Sequence, residues 1–218
     1  MNLSIAGIVV AISSLLSCAQ IENPKQNMVN NLTASLASRE EMKTDTATFG
    51  TGCFWCTEAI FQQLKGVLKV ESGYSGGHVD NPTYKEVCEG TTGHAEVVQV
   101  VYDPTKLTFD ELLEVFWQTH DPTTLNRQGN DVGTQYRSSI FYHNNEQKTK
   151  AENYKAELDS AKAFEKPIVT EITPFSKFYV AENYHQDYYT SNGSQPYCYY
   201  VIRPKLEKFK KVFHDKMK

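Results

Sequence analysis

The chain has 218 residues, 40% hydrophobic, 22% charged and 12% aromatic, enough to bury one sizeable core. Its 22 Lys and Arg against 26 Asp and Glu give a formal net charge of -4, so there is no broad cationic field to hold nucleic acid. Ordinary Pro and Gly usage without a repeat period excludes collagen-like, solenoid and low-complexity chains, and five cysteines are too few for a disulfide scaffold and odd in number.

Met1 to Ser17 carries no charged side chain, and Leu3 to Leu16 is an apolar run broken only by Ser4, Gly7, Ser13 and Ser14. The run is shorter than the roughly 20 residues a membrane-crossing helix needs, so residues 1–17 read as a signal peptide. Leu15-Leu16-Ser17-Cys18 resembles the lipobox of bacterial lipoproteins, which implies lipidation of Cys18 and a place in the cell envelope, at the periplasm or outer surface. The absence of Lys or Arg before the apolar run and the Leu at position 16 depart from that pattern. Ordinary cleavage after Ala19 is the alternative. Residues 18–44 are polar and lack a sustained apolar period, as in a tether.

The folded part is expected from residue 45 onward. Thr46 to Phe49 reads as a strand running into Gly50-Thr51-Gly52, with a helix from near Cys53 carrying Phe54, Ile60, Phe61 and Leu64 at helical spacing. Val67–Tyr74 and Ala95–Tyr102 read as strands. Thr108 and Glu111 form a capping box before a helix whose Phe109, Leu112, Leu113, Phe116 and Trp117 share one face. Ser138–Tyr142 is a further strand, and Asn144 caps a polar helix expected to reach Phe164. Ile168–Thr173 is a strand candidate, Phe175–Tyr189 is expected to be partly helical, and Lys205–Lys216 is a basic amphipathic helix. Strands and helices alternating in one domain predict a two-layer α/β sandwich with a mixed sheet.

Cys53-Phe54-Trp55-Cys56 puts two thiols three residues apart at a helix start. Unpaired N–H groups and the helix dipole favour a thiolate there, so a depressed pKa is expected for Cys53. Cys56, one turn on, can attack an oxidised Cys53 to form a disulfide. Zinc binding would call for a second ligand pair at short spacing, which the sequence lacks, so neither metal nor cofactor is expected.

Gly52-Cys53-Phe54-Trp55, Gly73-Tyr74-Ser75-Gly76-Gly77, Asn81-Pro82-Thr83-Tyr84, Thr92-Gly93-His94-Ala95-Glu96-Val97, the block Gly129 to Ser138 and Ala181-Glu182-Asn183-Tyr184-His185-Gln186 together resemble the peptide methionine sulfoxide reductases of the A class. The resemblance implies a ferredoxin-like fold over 45–218, the S epimer of methionine sulfoxide in proteins or peptides as substrate, and thioredoxin or a thioredoxin-like donor as reductant. It implies Cys53 as nucleophile, Glu96 as acid, and Tyr84 and Tyr136 as donors to the sulfoxide oxygen. Phe54 and Trp55 would line the methyl pocket and Asp131 would orient the substrate. Cys56 stands where many relatives have Gly and resembles the resolving cysteine of a family subset, with Cys198 as the competing resolver. Cys88 is expected to pack structurally, and His94 and His185 to hold loops. A monomer is expected. The competing functions are a thioredoxin-like disulfide oxidoreductase and a non-enzymatic, peptide-binding surface lipoprotein.

Overall fold

A computed structural model describes residues 43–218. The signal segment, Cys18 and nearly all of the tether lie outside the described residues. In chain order the elements are β1 (Asp45–Thr51), α1 (Phe54–Phe61), β2 (Val67–Ser75), α2 (Tyr84–Cys88), β3 (Ala95–Tyr102), α3 (Phe109–Thr119), β4 (Arg127–Gln128) and β5 (Asp131–Val132). There follow β6 (Ser138–Tyr142), α4 (Asn145–Ser160), β7 (Glu171–Pro174), β8 (Phe178–Val180), α5 (Tyr188–Asn192), a π-helical turn (Cys198–Ile202) and α6 (Arg203–Val212).

Six strands form one sheet in the order β7-β6-β1-β3-β2-β8. The inner four, β6-β1-β3-β2, pair antiparallel throughout and are linked as a βαββαβ unit, the ferredoxin-like arrangement. At the edges β8 adds antiparallel to β2 and β7 adds parallel to β6, which makes the sheet mixed.

The strand period of two sorts side chains between the faces. On β3, Val98, Val100 and Tyr102 enter the main core, whereas Ala95 and Val97 join Phe141 in a small cluster packed by Phe175 and Phe178. Glu96 shares the parity of Val98, so the same alternation that buries valines carries a carboxyl group into the core face. Phe49 of β1 anchors that face, its ring 5.3 Å from Phe61 and 5.3 Å from Phe116.

Several boundaries differ from the sequence expectation. The helix expected to reach Phe164 ends at Ser160, because Lys162 turns left-handed at φ 51° and Ala163 N–H bonds back to Leu158 O. The strand expected from Ile168 starts at Glu171. Ile168 N–H is taken by Asp159 and Val169 N–H by Pro122 O, outside the sheet. Within Phe175–Tyr189, β8 precedes two short helical turns. The basic helix begins at Arg203, directly after the π-helical turn. Helix α2 was not expected, although Thr83 and Glu86 close a capping box at its start.

Candidate active site

The site forms where β1 turns into α1. Gly52 takes φ 96°, and a Cβ there would lie 2.5 Å from Gln128 Cβ, so both backbone sign and space call for glycine. Cys53 is the N-cap residue of α1, but its side chain makes no capping bond; its carbonyl accepts from Cys56 N–H at 3.1 Å. The first helical N–H, that of Phe54, donates instead to Glu96 Oε2 at 3.1 Å. Helix start and acid are thereby joined across 42 residues of sequence.

Glu96 is 1% exposed. Burial, reinforced by the nearby charges of Asp131 and Cys56, pushes its carboxyl up to about 8 against the pull of the Phe54 N–H, so it holds a proton at neutral pH. Tyr84 and Tyr136 are also shifted upward, first by burial and then by neighbours that include the Glu96 charge. Both phenols stay protonated and able to donate. The structure therefore brings Glu96, Tyr84, Tyr136 and Cys53 into one electrostatic neighbourhood.

The thiols depart from the expectation. Cys53 is 6% exposed, and burial, with Cys56 and the Glu96 charge, raises its pKa well above that of a free thiol. The helix-end donor that would have favoured its thiolate is occupied by Glu96. The neighbouring Cys53 thiol lowers the pKa of Cys56, against burial, and the Lys205 charge helps. Both are free thiols, as are Cys88 and Cys198. Cys198 is fully buried, and Cys56 lies close enough for its charge to raise the Cys198 pKa further above the effect of burial. Cys88 corrects the expectation of structural packing. It is exposed at the end of α2.

Phe54 is almost wholly buried, 1% exposed, whereas Trp55 is half-buried and faces a group of rings. The Trp55 indole stacks on Tyr188 with centroids 3.6 Å apart and planes 6° apart, and Tyr197 meets it edge-on. Its Nε1–H donates to His185 Nδ1 at 3.1 Å. Asp131, on the β4-β5 hairpin, accepts from the Tyr197 hydroxyl at 2.8 Å.

The residues missed by sequence reasoning are Tyr197, Tyr188, Glu182 and Lys205. Burial and the nearby charges of Cys53 and Cys56 raise the Tyr197 pKa, so a protonated hydroxyl lies beside the thiol pair while it donates to Asp131. Glu182 accepts from the Tyr74 hydroxyl and from Tyr84 N–H, both at 2.9 Å, so it fixes the start of α2. Gln186 clamps Ser72 through both its backbone N–H and its carbonyl. These two contacts explain why the segment around Asn183 needs its polar residues. His94 holds a loop, as expected, accepting from Gly77 N–H at 3.0 Å.

A buried thiol pair at a helix start, beside a carboxylic acid that keeps its proton, defines a thiol-dependent oxidoreductase on a ferredoxin-like sandwich. The peptide methionine sulfoxide reductase family model matches residues 45–217, and the chain belongs to that family. It is 57% identical over 174 residues to peptide methionine sulfoxide reductase MsrA of Saccharolobus solfataricus, covering 80% of this chain and 97% of the relative. With MsrA of Deinococcus radiodurans it shares 49% identity over 195 residues, 89% of this chain and 95% of the relative. Among solved structures it resembles methionine sulfoxide reductase A of Corynebacterium diphtheriae, with a TM-score of 0.65, 41% identity and coverage of 74% of this chain and 81% of the other. Reduced Mxr1 from Saccharomyces cerevisiae gives a TM-score of 0.66 at 36% identity, covering 73% and 92%. The chain is a methionine sulfoxide reductase, and the thioredoxin-like and non-enzymatic readings give way to it.

Proposed function

We propose that this enzyme reduces the S epimer of peptide-bound methionine sulfoxide, with Cys53 as nucleophile, Glu96 as acid and Cys56 as resolving thiol. The observation that carries the assignment is the buried, protonated Glu96 held against the first turn of α1 beside Cys53. A sulfoxide sulfur becomes electrophilic as its oxygen gains a proton, so acid and nucleophile must meet on one S–O bond. Glu96, Tyr84 and Tyr136 supply the donors to that oxygen. Phe54 and Trp55 take the methyl group, and Asp131, braced by Tyr197, orients the substrate. The oxygen and the thiol proton pass to Cys53 as a sulfenic acid, and methionine leaves. Cys56 condenses with it, releasing water, and Cys198 is the second candidate for that step. A thioredoxin-like dithiol then opens the disulfide by exchange.

The same proposal includes a domain spanning 45–218 that acts as a monomer. It includes residues 1–17 as a removed signal and residues 18–44 as a tether, with lipid on Cys18 holding the enzyme in the cell envelope. Mass spectrometry of the mature N-terminus tests the anchor; an unmodified chain starting at Gln20 overturns it. For the reaction, the purified protein is given a peptide carrying either sulfoxide epimer, with insulin disulfide as a parallel substrate. Reduction of the S epimer alone is expected. Activity confined to insulin, or to the R epimer, overturns the assignment.

A further inference from the structure

The sequence leaves Lys205 in a basic amphipathic helix, where a solvated charge is the ordinary outcome. The fold does otherwise. Leu206 and Phe209 are 4% and 2% exposed and fasten α6 to the core, and Lys205, beside them on the edge of that face, is half-buried. Its Nζ lies 3.8 Å from Cys56 Sγ, across 149 residues of sequence. The π-helical turn Cys198–Ile202 runs directly into α6 and sets where the helix begins. Such turns mark irregular backbone that is often kept for function.

The groups that face Cys56 come from five elements or their flanks. Cys53 lies at the start of α1 and Tyr197 just before the π-helical turn, and both act to lower the pKa of the Cys56 thiol. Asp131 of β5 opposes a negative charge on it and Lys205 of α6 favours one, while Glu96 of β3 and Cys198 of the π-helical turn feel that charge in return. In the reduced site the neighbouring Cys53 S–H supports a Cys56 thiolate, and so does the Lys205 ammonium 3.8 Å away. Oxidation of Cys53 to a sulfenic acid removes that S–H. Burial and Asp131 still oppose the charge at the moment when Cys56 must attack, and the ammonium of Lys205 is still in place.

We propose that Lys205 keeps Cys56 anionic during the resolving step and thereby sets how fast the Cys53–Cys56 disulfide closes. This rests on Cys56 being the resolving thiol. In the step, the Cys56 thiolate attacks Cys53 sulfur, an S–S bond forms and the S–OH bond breaks. The departing hydroxide takes the Glu96 proton and leaves as water, and Glu96 regains a proton from solvent.

The test uses the full chain, loaded with methionine sulfoxide and no external reductant, with disulfide closure followed by quenched alkylation and mass spectrometry across pH. An opposite charge within contact range shifts a thiol by about one unit or more. In Lys205→Met the acid limb of the closure profile is expected to move up by that amount, with closure at neutral pH slowed about tenfold and a trappable sulfenic acid accumulating. Lys205→Arg is expected to restore the limb. An unmoved limb in Lys205→Met, while Cys56→Ser still blocks closure, overturns the role of Lys205. Normal closure in Cys56→Ser overturns the resolving assignment itself, a distinct outcome. Should Lys205→Met not fold, Lys205→Gln carries the same readout.

Discussion

At the scale of single residues, Glu96 joins two tasks that usually conflict. It must be buried enough to keep a proton at neutral pH, yet held by a donor so that its position is fixed; the Phe54 N–H supplies that bond. In the proposed mechanism the protonated form is the active one, so activity is expected to fall as pH rises through about 8. Glu96→Gln keeps the shape and the hydrogen bond but has no proton to give, so kcat is expected to drop by about 10²- to 10⁴-fold and to lose that alkaline limb. A variant whose pH profile still bends near the same point would assign the limb to another group. The motif Thr92 to Val97 made Glu96 visible in the sequence. Its place at the start of an apolar strand also implied that burial would favour the protonated form, and burial is the main cause of the rise; only the parts played by Asp131, Cys56 and the Phe54 N–H needed the fold.

At the scale of elements, the proposed chemistry sits at the junction of β1 and α1, and Gly52 shapes that junction. Gly52→Ala is expected to lower kcat more than stability, because φ 96° and the Gln128 side chain leave no place for a methyl group without moving Cys53. Equal loss in both, by activity assay and thermal melting, would make the glycine merely structural. Helix α3 offers the opposite case at its N-terminal end, closed by a reciprocal capping box between Thr108 and Glu111. Thr108→Ala is expected to cost about 1 kcal/mol in denaturant unfolding and to leave kcat unchanged. That cap was legible, being local and followed by a clear apolar face. Helix α2, only five residues long with one buried residue, offered no such face, and its start depends on Glu182 from far along the chain. Likewise β7 begins late because its upstream N–H groups find partners in Pro122 and Asp159, which no local pattern records.

At the scale of the whole molecule, two buried carboxylic acids link stability to pH. Glu58 of α1 is 1% exposed, with Oε1 lacking a partner among the described residues, and burial pushes its carboxyl up to about 7. Glu96 is raised to about 8. For a raised acid the folded state binds the proton more tightly than the unfolded chain does. The resulting stability is full below the ordinary carboxyl range and is lost as pH rises through about 7 for Glu58 and about 8 for Glu96. Glu58→Gln is therefore expected to flatten the first part of that fall, gaining on the order of 2 kcal/mol relative to the parent between acidic and mildly alkaline pH. Melting curves across that range check it, and parallel curves for the two proteins would rule it out.

The sequence by itself determined β1, β2, β3, β6, the long helices between them and the thiol pair at a helix start, because those depend on spacing and period, and its motifs pointed to Glu96; it did not show α2, the β4-β5 hairpin or β8. The tertiary structure decided where the protons reside and which residues from afar complete the site. Burial raises Cys53 well above a free thiol, against what helix position alone implies, and the Lys205 charge favours an anion on the neighbouring Cys56. The physical reason is that a pKa answers to burial and to charges in space. Here those come from Glu96, Asp131, Tyr197 and Lys205, groups that the folded chain alone brings to one place.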